Sequence, residues 1–175
     1  ENYQKALVAL QSYLDKYPSG QNLYKADFYM AESYKMLGKI EQACDSYKRV
    51  IEKGEGSFVE LSMLNFANLS FRLERWDEAY GGYSSLLEAA KLENNTYTAI
   101  VGMMRSAFKG YAWDKALSAA SKVYSDSRAD EETRLEAKYV QAKSLLATSR
   151  RDEAFAILQT LSRNVSGKYG AEAAY

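Results

Sequence analysis

The residue types that most often carry enzyme chemistry are scarce in this 175-residue chain, which has no histidine and a single cysteine, Cys44. A zinc site and a Ser–His or Cys–His nucleophile need histidine or several cysteines, so the sequence supplies neither. No glycine-rich phosphate loop follows a strand pattern, because Gly81-Gly82 falls inside a helical pattern. Carboxylates are plentiful, but they stand at predicted helix starts and exposed faces. The sequence therefore predicts no enzyme active site, no metal and no cofactor.

Charge and hydropathy narrow the class of partner. Lys plus Arg number 23 and Asp plus Glu number 23, so no net field concentrates nucleic acid or an anionic membrane. The longest apolar run, Ala99 to Met104, is far shorter than the roughly 20 residues that a membrane-spanning helix needs. We therefore expect no nucleic-acid partner and no direct insertion of this chain into a membrane.

A five-residue motif recurs along the chain and sets the positions at which binding side chains would stand. Its clearest copy is Arg75-Trp76-Asp77-Glu78-Ala79. The closing alanine, called the anchor below, recurs as Ala6, Ala43, Ala79, Ala116 and Ala154. The steps between anchors are 37, 36, 37 and 38 residues, a period typical of stacked pairs of helices.

This period predicts an all-α chain of about nine or ten antiparallel helices, each repeat being a first helix, a turn and a second helix that carries the anchor. The whole chain, 1–175, is predicted to be one solenoid fragment cut from a longer protein. Its predicted parts are a half repeat 1–20, repeats at about 21–56, 57–93, 94–129 and 130–167, and the start of a further repeat at 168–175.

Two details of the helices are also predicted. Asp77, Asp114 and Asp152 recur two residues before their anchors, where a helix N-cap or a first-turn carboxylate would meet the positive helix end. Gly81-Gly82 inside a helix is explained either by close approach of a neighbouring helix or by simple tolerance. Cys44 follows an anchor on a helix and is predicted to be buried as a small apolar residue.

The repeats resemble tetratricopeptide repeats. That family places a small residue twelve positions before the anchor, here Ala31, Ala67 and Ala142 with Met104 departing, and an aromatic residue nine before it, here Tyr34 alone. The resemblance implies a right-handed α–α superhelix whose first helices line a concave groove, and a role in protein binding.

A narrower likeness concerns the stretch from Tyr13 to Gly20 and the Ala31-Glu32-Ser33-Tyr34 that follows. It is similar to bacterial cell-envelope members of the family, among them the lipoprotein of outer-membrane assembly and the periplasmic partner of the Tol–Pal system. This likeness implies a periplasmic or outer-membrane-associated protein of a bacterium, with the cytoplasm as the alternative.

The residues 14, 11, 8 and 7 positions before each anchor should look into the groove. They supply the candidate partner-binding side chains, which are Tyr29, Glu32, Asn65, Asn68, Phe71, Arg72, Arg105, Phe108, Lys109 and Lys143. Amides, cations and aromatic rings on one surface suit an extended peptide or an acidic tail. We therefore predict a non-enzymatic interaction scaffold. The alternatives are a structural spacer or a substrate-recruiting module within a larger protein, and self-association through exposed terminal helices is a further expectation.

Overall fold

The computed structural model describes residues 2–54, 56–163 and 169, and within these ranges it contains nine helices and no strand. The helices are α1 (Asn2–Lys16), α2 (Leu23–Met36), α3 (Ile40–Lys53), α4 (Val59–Arg72), α5 (Trp76–Ala89), α6 (Glu93–Lys109), α7 (Trp113–Ser125), α8 (Glu131–Ala147) and α9 (Arg151–Ser162). The predicted all-α helical-repeat class is confirmed. The predicted start of a further repeat at 168–175 lies outside the described residues except for Tyr169.

The contacts between helices divide the chain into two compact units. Unit 1 is Glu1–Ala90 and contains α1 to α5, while unit 2 is Lys91–Tyr175 and contains α6 to α9. Within unit 1 each helix packs on the next one along the chain. Unit 2 follows the same order and adds a contact between α6 and α8, its two first helices. None of the described helices is long and apolar enough to cross a membrane.

The anchor alanines lie where a second helix crosses its neighbours. Ala43, Ala79, Ala116 and Ala154 are fully buried, as are the small residues Ala31 and Ala67 of the first helices. A methyl group at such a crossing lets two helix backbones approach closely, and larger side chains fill the space beside it. In unit 1 the rings of Phe28 and Phe58 stack at 4.2 Å beside this crossing. Cys44 is buried in the same cluster, as predicted.

The turn between the two helices of a repeat has the same backbone form each time. Its central residue adopts a left-handed conformation, with φ of 72° at Gly38, 58° at Glu74, 58° at Tyr111 and 63° at Ser149. The following N–H bonds back to the carbonyl five residues earlier, for example from Lys39 N to Tyr34 O at 2.9 Å. This is a Schellman ending, a conformation that glycine adopts most readily.

The recurrent aspartates lie inside the helices. Asp77, Asp114 and Asp152 are each the second residue of their helix, so the first-turn prediction is right and the N-cap prediction is wrong. The caps are Arg75, Ala112 and Arg150, and none of these side chains forms a capping hydrogen bond to the backbone N–H groups of the helix start. The preceding Schellman turn already hydrogen-bonds the backbone N–H of the cap residue. The chain therefore enters the second helix without a side-chain cap.

The two adjacent glycines of α5 have different environments. A Cβ atom built on Gly82 would lie 3.0 Å from Ala67 Cβ and 3.0 Å from Phe66 Cδ1 on α4, whereas one built on Gly81 meets nothing within 4 Å. Close helix approach therefore accounts for Gly82, and tolerance accounts for Gly81.

Candidate functional site

The candidate residues of α2 begin with Tyr29, whose side chain is about half exposed at 51%. Its ring meets Phe28 and Phe58 edge to face, with centroids 5.7 and 5.9 Å apart. Together with Tyr3 and Leu10 of α1, Tyr29 lines an open depression of about 500 Å³. The structure thus places Tyr29 on an accessible, largely apolar surface of unit 1.

Glu32 of α2 is held by two neighbouring donors. The hydroxyl of Tyr47 on α3 donates to its carboxylate, and Lys35 Nζ lies 2.8 Å from Glu32 Oε1. Lys35 Nζ also lies 3.4 Å from Asn65 Oδ1 on α4. Burial, followed by the bond to Glu32, raises the pKa of Tyr47, so its hydroxyl remains a donor. Glu32 is therefore fixed in place.

The asparagines of α4 continue the same face of unit 1. Asn65 Nδ2 donates to the carbonyl of Leu61 at 3.0 Å, one turn earlier. Asn68 Oδ1 accepts a 2.6 Å hydrogen bond from the hydroxyl of Tyr83 on α5. Asn68 is exposed, and its amide nitrogen donates to no group among the described residues. The Tyr83–Asn68 bond repeats the Tyr47–Glu32 bond one repeat later, because each tyrosine follows its partner by 15 residues.

The last two candidates of α4 have different surroundings. Phe71 is half-buried, and its ring meets Trp76 edge to face at 5.0 Å. Arg72 is exposed and forms no ion pair within the part of the chain that the structure describes. Phe71 thus packs on the turn, and Arg72 is the accessible cation of this helix.

In unit 2, Arg105 of α6 is engaged by its neighbour. Its Nε and Nη2 atoms donate to the two carboxylate oxygens of Glu136 on α8, at 2.8 and 2.6 Å. This bidentate bond raises the pKa of Arg105. The guanidinium fork is therefore occupied within unit 2 rather than free for an acidic partner.

The remaining candidates of unit 2 surround Tyr139 of α8. Phe108 meets the ring of Tyr139 at 6.2 Å and that of Trp113 at 5.9 Å, both edge to face. Lys143 Nζ lies 5.8 Å from the centre of the Tyr139 ring. Lys109 is exposed, and no described residue forms an ion pair with it. The rows predicted to face the groove also included Gly102 and Val140, but both are buried.

Sequence reasoning missed the residues that hold these candidates. Tyr47 and Tyr83 each stand four residues after an anchor, and their hydroxyls reach the first helix of the same repeat. The sequence pattern that indicates these bonds is a polar residue eleven positions before the anchor together with a tyrosine four positions after it. Glu136 had no such signal, since it lies 31 residues after Arg105, in the next repeat.

Among the described residues no group of three His, Cys, Asp or Glu side chains could hold a metal ion. The faces present amides, cations and aromatic rings, which donate hydrogen bonds and supply apolar contact. This arrangement suits binding of a peptide chain.

Comparison with known proteins agrees with this description. Residues 25–53, which cover nearly all of α2 and α3, match the family model described as the tetratricopeptide repeat, TPR. A TPR repeat-containing protein of Methanocaldococcus jannaschii is 30% identical over 90 residues, which are 50% of this chain and 27% of that protein. The chain therefore spans only about a quarter of the length of this curated relative.

Solved structures share the fold. One is YrrB, whose structure is described as that of a TPR protein with an unusual peptide-binding site. It superposes on this chain with a TM-score of 0.67 at 16% identity, and the match covers 98% of this chain and 83% of YrrB. Nearly identical TPR-like repeats from Podosopora anserina give a TM-score of 0.56 over 90% of this chain and 84% of theirs, at 13% identity. At these identities the likeness establishes the fold alone.

Proposed function

We propose that this helical-repeat chain is a non-enzymatic scaffold for an extended peptide segment of a partner protein. The premise is that residues 25–53 form a tetratricopeptide repeat. The first-helix face of unit 1 is the binding surface in this proposal. We define that face by the residues Tyr29, Glu32, Asn65, Asn68 and Arg72.

The observation that carries the proposal is the fixed amide of Asn68. Its oxygen is held by the hydroxyl of Tyr83 at 2.6 Å, and its nitrogen has no acceptor among the described residues. A donor that is already oriented loses little conformational entropy when a ligand binds, so it contributes more affinity than a mobile side chain. The acceptor that fits it is a peptide carbonyl, which every extended chain offers at each residue.

The neighbouring groups suit the same ligand. Tyr29 offers an exposed ring for an apolar side chain, and Arg72 offers an accessible cation for a carboxylate. TPR proteins in general mediate protein–protein interaction, and the structural description of YrrB mentions a peptide-binding site. These likenesses support peptide binding as the class of function, and the residues above are our proposal for where it takes place.

Selection of peptides tests the proposal. Random linear peptides displayed on phage are selected on the chain, and the affinity of a selected peptide is measured by fluorescence anisotropy. Asn68→Asp keeps the oxygen that accepts from Tyr83 and removes both amide donors. We expect it to weaken binding about tenfold, since one lost hydrogen bond of about 1.4 kcal/mol corresponds to that factor.

The matched control is Asn94→Asp, which makes the same change at an exposed asparagine of α6 in unit 2. This variant should bind as the unchanged chain does. Equal affinity of the Asn68→Asp variant would contradict the placement of the site. If selection yields no binding peptide at all, the result favours a structural spacer within a longer protein.

A further inference from the structure

We propose that the turn between α6 and α7 carries a second binding site, a row of aromatic rings that takes an extended, proline-containing segment with acidic neighbours. The row, called the aromatic ridge below, consists of Tyr111, Trp113, Phe108 and Tyr139. It lies within unit 2 and is independent of the amide site on unit 1.

The rings form a continuous series of contacts. The centroid of Tyr111 lies 5.4 Å from that of Trp113, which lies 5.9 Å from Phe108, which in turn lies 6.2 Å from Tyr139. Successive ring planes are inclined by 66°, 70° and 69°. Tyr111 at one end of the row is 73% exposed, whereas Tyr139 at the other end also meets the ring of Tyr169, with centroids 5.3 Å apart.

The backbone of Tyr111 shows that the exposed ring is held at an unfavourable position. Its φ of 58° places a bulky residue in the left-handed region, which costs free energy for any residue with a Cβ atom. The equivalent turn residue of the first complete repeat is Gly38, which meets no such cost. Glu74 and Ser149 hold the same conformation in their own turns, so the cost belongs to the turn, and what sets this turn apart is that its left-handed residue carries an aromatic ring.

Two lysines lie near residues of the ridge, and one exposed carboxylate, that of Asp114, follows Trp113 in the chain. Lys109, at the end of α6 and next to Phe108 in the chain, is exposed and has no ion-pair partner in the described ranges. Lys143 Nζ lies 5.8 Å from the centre of the Tyr139 ring. The two cations favour carboxylates in the ligand.

Proline suits the rings for a separate reason. A proline-rich segment is already extended in solution, so it loses little entropy on docking, and its flat pyrrolidine rings fit between aromatic side chains. The combination of rings and cations therefore selects an acidic, proline-containing segment over a neutral or helical one.

The chain contains a matched turn that lacks this site. Between α4 and α5 the rings of Phe71 and Trp76 meet at 5.0 Å, as Phe108 and Trp113 do. The left-handed position there is Glu74, which adds a negative charge instead of a third ring. This turn should not bind the same ligand.

Tryptophan fluorescence tests the two turns separately, because Trp76 and Trp113 are the chain's two tryptophans. The probe is an acetylated and amidated polyproline peptide with an aspartate at each end. In the Trp76→Phe variant, Trp113 emission should change and saturate as the peptide is added. In the Trp113→Phe variant, Trp76 emission should stay constant. The same peptide with alanine in place of proline should produce no saturable change.

Variants of the ridge complete the test. Tyr111→Gly removes the ring and relieves the backbone, and its thermal unfolding midpoint shows whether it is folded; we expect its affinity to fall at least about tenfold. Lys109→Glu should also weaken binding, whereas Asn94→Asp, at an exposed asparagine of α6 outside the ridge, should leave it unchanged. The proposal is overturned if Trp113 does not respond, if both tryptophans respond alike, or if the Tyr111→Gly variant binds as tightly as the unchanged chain.

Discussion

The two units hold the polar residue eleven positions before the anchor in different ways. In unit 1 a tyrosine of the same repeat donates to it, from Tyr47 to Glu32 and from Tyr83 to Asn68. In unit 2 the tyrosine position is occupied by Ala120 and then by Leu158, and Arg105 is held by Glu136 of the next repeat. Residues at the equivalent position of different repeats therefore occupy the same place in the repeat but are held by different hydrogen-bond partners.

The difference has a consequence for recognition. The unit 1 face keeps an oriented amide nitrogen that donates without carrying a charge, which suits the main chain of a peptide. The unit 2 face combines an internal ion pair with aromatic rings and lysines, which suits particular side chains. We expect unit 1 to bind many sequences and unit 2 to select among them.

The largest expected effect comes from removing the tyrosine of unit 1. Tyr47 is fully buried, so Tyr47→Ala should lower the free energy of unfolding by about 3–5 kcal/mol through the cavity that it leaves. Tyr47→Phe keeps the ring and should cost only about 1 kcal/mol, because Lys35 still contacts Glu32. Urea unfolding measures both. Equal losses in the two variants would show that the hydroxyl bond, not ring burial, is the main contribution.

The reverse substitution tests whether unit 2 has room for the tyrosine hydrogen bond that is found in unit 1. Ala120 is fully buried against its neighbours, so Ala120→Tyr should overpack the core and destabilise the chain by roughly 1–3 kcal/mol. Ala112→Tyr, at a helix start where the side chain is half-buried, is the control and should cost less. An unchanged midpoint for the Ala120→Tyr variant would mean that unit 2 has room for the tyrosine bond.

A double-mutant cycle on Arg105 and Glu136 measures the coupling free energy of the ion pair that takes the place of the tyrosine hydrogen bond in unit 2. We expect a coupling free energy of about 1 kcal/mol, limited by the exposure of half the arginine side chain and reduced by added salt. The control is the exposed pair Arg150 and Glu153 at the start of α9, which should couple less strongly. A salt-independent coupling would contradict an electrostatic origin.

The left-handed turns differ between the units as well. Tyr111→Gly should stabilise the chain by about 0.5–1 kcal/mol, and Ser149→Gly should act in the same direction, because glycine adopts these φ values without strain. Gly38→Ala should destabilise by a similar amount. Thermal unfolding measures the change in stability of all three variants. A loss of stability in the Tyr111→Gly variant would show that the ring stabilises the fold by more than the turn costs.

The smallest expected effect is a pH dependence specific to unit 2. Hydrogen bonding to Arg128 lowers the pKa of Asp126 from 3.8 to about 2. A lowered carboxyl pKa stabilises the folded state above the unfolded value, and this contribution disappears as the pH falls from about 4 to about 2. Asp126→Asn should therefore be less stable than the unchanged chain at pH 5 and equally stable at pH 2. A difference of the same size at both pH values would contradict this assignment.

Much of the fold could be predicted from the period of the anchors. The second helices α3, α5, α7 and α9 each begin three residues before an anchor, at Ile40, Trp76, Trp113 and Arg151. That regularity follows from local chain geometry, because the turn and the helix start use neighbouring residues. The same period placed Tyr29 and Asn68 on exposed surfaces.

The partners of these residues could not be predicted in the same way. Whether Arg105 is free or paired depends on Glu136, a residue 31 positions away whose helix must first be packed. The rings of Phe71 and Phe108 pack on Trp76 and Trp113, contacts that the repeat period does not indicate. Such contacts depend on side-chain direction across a turn, which periodicity does not specify. The cell-envelope location remains a prediction that rests on sequence likeness.

The most direct test of the central claim follows the Asn68 side-chain amide by NMR while a selected peptide is added. If this amide donates to the peptide, its ¹⁵N–¹H₂ signals should shift to saturation, while those of Asn94 in unit 2 stay in place. The Tyr83→Phe variant should show a smaller shift and weaker binding, since the amide is no longer oriented. A peptide that binds the chain and leaves the Asn68 signals unmoved would contradict the account.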